Sequence, residues 1–152
     1  MGDIRDVRTA VDSKFKGVGE AKMLQYVLSE SEIRNYMFIV KMSGRYYLDE
    51  DFKIDDFDYK RFNFLNYQIG KNRYVGESEY SKGSHSTRLY GVPGNGIDIW
   101  RRSLRRCVWE MKIFNCGLES VIAKHIKGKN IFYRNSLHIK GNIAVNGEEI
   151  AE

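Results

Sequence analysis

With 152 residues, the chain is long enough to bury a core without disulfide or metal staples and short enough to form one domain. Its 42% hydrophobic and 30% charged residues are ordinary for a soluble globular protein, and the single proline argues against long disordered linkers. A net charge of +5 admits an anionic partner, whether nucleic acid, nucleotide or membrane surface, without choosing among them.

Residues 1–15 mix charges with Ile4, Val7, Ala10 and Val11 at a weak helical period, which predicts a frayed first helix ending between Ser13 and Gly17. From Glu20, the residues Met23, Leu24, Val27 and Leu28 recur on one helical face, and Glu32-Ile33-Arg34-Asn35 is a polar connection. Tyr36-Met37-Phe38-Ile39-Val40 is a continuous apolar run rich in aromatic and β-branched residues, which predicts a strand covered on both faces. Lys41, Ser43, Gly44, Arg45 and the Tyr46–Tyr47 pair follow where that run stops. In open α/β sheets ligands bind at the carboxyl ends of strands. Two cations four residues apart with a glycine between them suit a phosphate or carboxylate, because the glycine admits the ligand and the arginine offers a planar fork of donors. A cation at the end of an apolar strand also demands a partner, either an acidic side chain or a bound anion.

The segment from Asp49 to Phe64 is acidic and then basic, with Phe52, Ile54, Phe57, Tyr59, Phe62 and Phe64 alternating as in an aromatic-studded loop or short strands. Leu65 to Ser86, with Gly70, Gly76 and Gly83, reads as a hairpin or long loop. Thr87 to Val92 predicts a short strand that stops at Pro93-Gly94-Asn95-Gly96. Ile97, Trp100, Leu104, Val108 and Met111 mark one face of a helix whose other face carries Arg101, Arg102, Arg105 and Arg106. Leu118, Val121, Ile122 and Ile126 mark a second helix, starting after Gly117 and ended by Gly128. Ile131-Phe132-Tyr133 is a strand candidate; Leu137 to Val145 alternates and turns at Gly141, and Asn146-Gly147 is a last turn. The order of helices and strands predicts a single α/β domain over 1–152, with a mixed sheet and flanking helices.

The chemistry-bearing groups divide as follows. Asp49-Glu50-Asp51 matches the D-x-D spacing in which two carboxylates share a divalent cation, Mn2+ or Mg2+, although acidic triplets are also common on surfaces. Asp55, Asp56 and Asp58 allow the same two readings. His85, His125 and His138 lie far apart in sequence without ligand spacing. Glu119 is either a first-turn acid favoured by the helix dipole or a catalytic base at a helix start. The arginines at 101–106 form either a solvated helix face or an anion-binding surface. Cys107 and Cys116 are expected as free thiols. No signal-peptide pattern and no apolar run of about 18 residues is present, so a cytoplasmic protein is expected.

Five stretches, K-G-V-G-E-A from Lys16, F-I-V-K-M-S-G-R-Y-Y-L from Phe38, S-T-R-L-Y from Ser86, G-L-E-S-V-I from Gly117 and L-H-I-K-G-N-I-A-V-N-G from Leu137, carry a resemblance. Together they resemble the later part of GT-A-type nucleotide-sugar glycosyltransferases of polysaccharide and lipopolysaccharide synthesis, whose central strand carries K-x-S/T-G-R-Y. The resemblance covers about residues 16–147. It implies a partial GT-A-like fold that transfers a sugar from a nucleotide-sugar donor to a glycan acceptor. It further implies that Lys41, Ser43, Gly44, Arg45 and Tyr46 line the donor diphosphate or sugar, with Thr87 and Arg88 nearby, and that Glu119 is the acid near the acceptor. Only about fifteen residues precede the shared region, so the nucleotide-binding half is expected to be shortened, absent or supplied by a partner in a homo- or hetero-oligomer. The alternative expectation is a basic, non-enzymatic nucleic-acid-binding or interaction protein.

Overall fold

A computed structural model describes residues 5–12, 16–65, 85–126, 129–142 and 149–151. These residues form an α/β unit in three layers. The helices α1 (Arg5–Val11), α2 (Lys16–Val27), α3 (Ile97–Phe114) and α4 (Leu118–Ile126) make the first. The second is a four-stranded sheet of β1 (Phe38–Met42), β3 (Phe62–Leu65), β4 (Leu89–Pro93) and β5 (Ile131–Arg134), in the order β1-β4-β3-β5. The third is a small antiparallel sheet of β2 (Tyr46–Leu48), β6 (Ile139–Asn142) and β7 (Glu149–Ala151), in the order β2-β6-β7.

The larger sheet is mixed. β4 is antiparallel to both β1 and β3, whereas β3 and β5 are parallel, so β1, β3 and β5 run one way and β4 runs back between them. Strand alternation then sorts the core into two parts. Ile39, Phe62, Phe64, Tyr90 and Val92 face the helices, where Trp100, Leu104, Met111, Val121, Ile122 and Ile126 meet them. Phe38, Val40, Leu65 and Leu89 face the other way and pack with Phe57, Leu137, Ile139 and Tyr46. Phe64, Tyr90 and Trp100 form an aromatic centre with ring centroids 4.9–5.8 Å apart.

Several elements sit where their periodicity puts them. α3 buries Ile97, Trp100, Leu104, Cys107 and Met111, one stripe of a 3.6-residue repeat, and ends at Asn115, whose φ of 49° is the left-handed cap conformation. α4 spans Leu118–Ile126 and buries Leu118, Val121, Ile122 and Ile126. Other expectations shift. The strand over Tyr36–Val40 lies two residues later and is an edge strand of half-buried residues, with Met37 85% exposed just before it. α2 starts earlier, at Lys16, and packs through Val18, Ala21, Leu24 and Leu28, leaving Met23 exposed, because its inner face rests on small residues between α1 and α3. Gly141 is not a turn but the middle of β6, opposite Tyr46 of β2. The expected loop over 65–86 falls outside the described residues for 66–84, as do the endings at Gly128 and Asn146-Gly147. Both cysteines are free thiols, and burial with the neighbouring Glu110 pushes Cys107 up to about 12.

Candidate functional site

The carboxyl ends of β1, β3 and β5 share one edge of the sheet with the start of β4. At the β1–β4 corner of that edge, four residues expected from the sequence converge. Lys41 points to the helix side, 5.5 Å from the centre of the Tyr90 ring, with a side chain only 14% exposed. Its ammonium donates to Glu20 of α2, to the Ser43 hydroxyl at 2.8 Å and to the Thr87 carbonyl at 2.5 Å. An ammonium has three N–H donors, so this set uses all of them. Of the two partners the sequence admitted for Lys41, an acidic side chain or an anion, the fold supplies the first.

The network continues through Thr87. Its hydroxyl donates to Glu119 Oε1 at 3.0 Å, while its carbonyl also accepts from the Ser43 hydroxyl at 3.3 Å. Glu119 lies in the first turn of α4, is exposed, and its backbone carbonyl accepts from the His85 amide at 3.2 Å. Residues 85–87 are buried polar groups along this edge. The His85 ring stacks on Phe64 with centroids 4.5 Å apart, and burial holds its pKa down at about 4. The Tyr90 hydroxyl is buried beside Trp100, and burial first, then the charge of Glu20, raises its pKa.

In front of this network the chain makes a tight turn. The Tyr46 amide donates to the Ser43 carbonyl at 3.1 Å, which places Gly44 and Arg45 at the tip, both exposed. The Ser43 amide donates to the Arg88 carbonyl at 2.7 Å, tying the turn to the entry of β4. The Arg88 guanidinium lies over the Tyr46 ring, 5.8 Å from its centre. Among the described residues, nothing lies within 4 Å of a Cβ placed on Gly44, so these residues leave the space beside it open. Gly141 is the reverse case. A Cβ there would lie 2.5 Å from the Arg45 carbonyl oxygen and 2.6 Å from Tyr46 Cδ1, so a bare backbone at Gly141 lets the turn seat on β6. Lys41, Ser43, Gly44, Arg45, Tyr46, Thr87, Arg88 and Glu119 therefore occupy one neighbourhood. Glu20, His85, Tyr90 and Gly141 join them without having been singled out for it. The demand of Lys41 for an acidic partner was the one signal that pointed towards Glu20.

Asp49 and Asp51 lie elsewhere. The three residues of β2 put roughly 10 Å of strand between Tyr46 and Asp49. Pairing of β2 with β6 brings His138 alongside, with the Asp49 amide donating to the His138 carbonyl at 2.9 Å. One donor atom each from Asp49, Asp51 and His138 lie within 4.8 Å of one another. His138 meets these two carboxylates without another histidine, which sequence spacing among the histidines did not indicate. Asp55, Asp56 and Asp58 serve other ends. Asp58 takes the Arg61 guanidinium at 2.6 Å, and the Asp56 carboxylate is 3.5 Å from Arg134. Asp58 is held below the usual carboxylate range, first by the Lys60 amide and then by Arg61. A shallow depression of about 430 Å³ beside residues 56–60 and Phe132 opens on the face of the sheet opposite Lys41.

No protein-family model, no curated protein and no solved structure matches the chain. Among the described residues, no helix is long and apolar enough to cross a membrane.

Proposed function

We propose that the chain is a GT-A-like glycosyltransferase domain that holds the diphosphate of a nucleotide-sugar donor at the Ser43–Tyr46 turn and passes the sugar to a glycan acceptor. The observation that carries this reading is the Lys41–Ser43–Thr87–Glu119 network, which links residues from three separate parts of the chain at the carboxyl edge of the sheet. Arg45, exposed at the turn tip beside the open space at Gly44, offers the planar fork for the diphosphate, and Arg88 adds a second cation at the entry of β4. Lys41, its donors used and its charge offset by Glu20, keeps Ser43 and Thr87 in place. Glu119, oriented by Thr87 and open to solvent, takes the proton of the acceptor hydroxyl if the reaction inverts the sugar. A partner chain or second copy that completes the nucleoside contacts belongs to the same reading.

A divalent cation fits Asp49, Asp51 and His138 as a set of two carboxylates and one imidazole, which suits Mn2+ better than Mg2+. The set lies roughly 10 Å along β2 from Tyr46, and in this reading the arginines hold the diphosphate.

The test is incubation of the purified chain with uridine, guanosine and cytidine diphosphate sugars and a lipopolysaccharide-core acceptor, with chromatography of the released nucleoside diphosphate. Acceptor-dependent release from one donor is expected, reduced by about a hundredfold or more in Glu119→Gln. Absence of release from every donor, with and without manganese, removes the reading of the chain as an enzyme by itself.

A further inference from the structure

The outward face of α3 is a separate feature. Its inward stripe is buried, and on the opposite side Arg102, Arg105, Arg106, Trp109, Lys112 and Ile113 follow one another at helical spacing, all exposed. Arg101, grouped with the other arginines by sequence, is turned aside and lies 3.6 Å from Asp98 at the amino end of the helix, which leaves the rest of the face cationic. In its midst stand two apolar side chains that a solvated face has no use for, Trp109 at 62% exposure and Ile113 at 52%.

We propose that this face docks the protein on an anionic lipid bilayer surface. Charge complementarity names the partner: four cations on one face match lipid phosphates, and each adds to the attraction near a charged membrane. The apolar pair narrows the choice among polyanions. An indole settles at the headgroup level with its ring half buried, and an isoleucine beside it enters the acyl boundary. A nucleic acid would use the arginines and could stack on Trp109, but it offers Ile113 no apolar environment. The helix lies flat in such a complex, with its buried stripe still on the core, so docking needs no change of fold. The carboxyl end of α3 leads through Asn115–Gly117 into the turn that carries Glu119, so docking sets the candidate acceptor side near the lipid surface. That last point rests on the sugar-transfer reading, whereas the docking does not.

The experiment is sedimentation of the whole chain with vesicles of phosphatidylcholine alone and of equal parts phosphatidylcholine and phosphatidylglycerol, followed by tryptophan fluorescence. The chain has two tryptophans, and Trp100 is buried, so a change on adding vesicles reports Trp109. Binding to the anionic vesicles only is expected, with a blue shift lost in Trp109→Phe. Ile113→Ser and the triple change Arg102→Gln, Arg105→Gln, Arg106→Gln should each lower apparent affinity by about tenfold or more. These side chains are exposed, and unchanged circular dichroism would show that the variants keep the fold. No binding to anionic vesicles overturns the proposal. It is equally overturned if Ile113→Ser binds as well as the parent while duplex DNA or single-stranded RNA competes fully, since the face is then a general polyanion surface.

Discussion

Thr87 joins the two halves of the candidate site: its hydroxyl donates to Glu119 Oε1 at 3.0 Å while its carbonyl accepts from Lys41 at 2.5 Å. A single residue at the entry of β4 thus fixes both the cation at the end of β1 and the acid at the start of α4. Because Lys41 also holds Glu20 and Ser43, a change at any of these positions is felt at the others.

Removing one member of the Lys41–Glu20 pair should cost more than removing both. Lys41→Met leaves the Glu20 carboxylate, with its side chain 28% exposed, without its cation. A loss of roughly 1–3 kcal/mol is expected from an orphaned, partly buried charge. The double variant Lys41→Met, Glu20→Gln should recover part of that loss, as a urea-denaturation double-mutant cycle would show. Strict additivity of the two changes would mean that the pair is not coupled.

Stability should fall in mild acid through His85. Burial keeps the folded ring neutral down to about pH 4, whereas in the unfolded chain it takes up a proton near pH 6.5. Between these values the unfolded state binds more protons, so the stabilisation present above pH 6.5 is lost as pH falls and is gone by about pH 4. The contribution is on the order of 2–3 kcal/mol, measurable by urea melts across that window. His85→Phe, which keeps the ring stack on Phe64, should flatten the dependence by that amount; an unchanged slope would place the acid sensitivity elsewhere.

Gly44 at the turn and Gly141, on the strand against which the turn rests, should respond differently to alanine. At Gly141 the added methyl meets the Arg45 carbonyl and the Tyr46 ring, so Gly141→Ala should destabilise by roughly 1–3 kcal/mol and displace the turn. At Gly44 the methyl enters open space, and a change within about 0.5 kcal/mol is expected. Thermal unfolding of the two variants compares them directly. If Gly44→Ala keeps its stability and loses nucleoside-diphosphate binding, the open space is ligand space.

Manganese should raise the melting temperature if Asp49, Asp51 and His138 hold it, because a ligand that binds only the folded state stabilises by mass action. The rise should disappear in Asp49→Asn and in His138→Gln. A rise that persists in both variants would show that the ion binds elsewhere.

The helices were the most legible part of the chain, since α3 and α4 expose and bury residues at the period written in their sequences. β1 was legible as a strand but not in its limits. Apolar character drew it back to Tyr36 and Met37, whereas backbone pairing of Lys41 with Tyr90 and Met42 with Leu89 carries it forward. That pairing is non-local and leaves no mark in the run itself. In the candidate site, Lys41 and Ser43 stood out from the residues themselves and Thr87 and Glu119 from the resemblance, and hydrogen bonds now join the four. Glu20 could not be assigned, because its role depends on which face of α2 meets the sheet. Nor could His138, which reaches Asp49 only through the pairing of β2 with β6. Gly141 looked like a turn because a glycine in an alternating segment marks a bend as readily as a close approach of backbones.

A diphosphate site at the Ser43–Tyr46 turn is measured by calorimetric titration of the whole chain with uridine, guanosine and cytidine diphosphates. One of them should bind saturably, about tenfold or more weaker in Arg45→Ala, a change of an exposed side chain that leaves the Lys41 network intact. Absence of binding to all three, or binding that Arg45→Ala leaves untouched, would contradict that site.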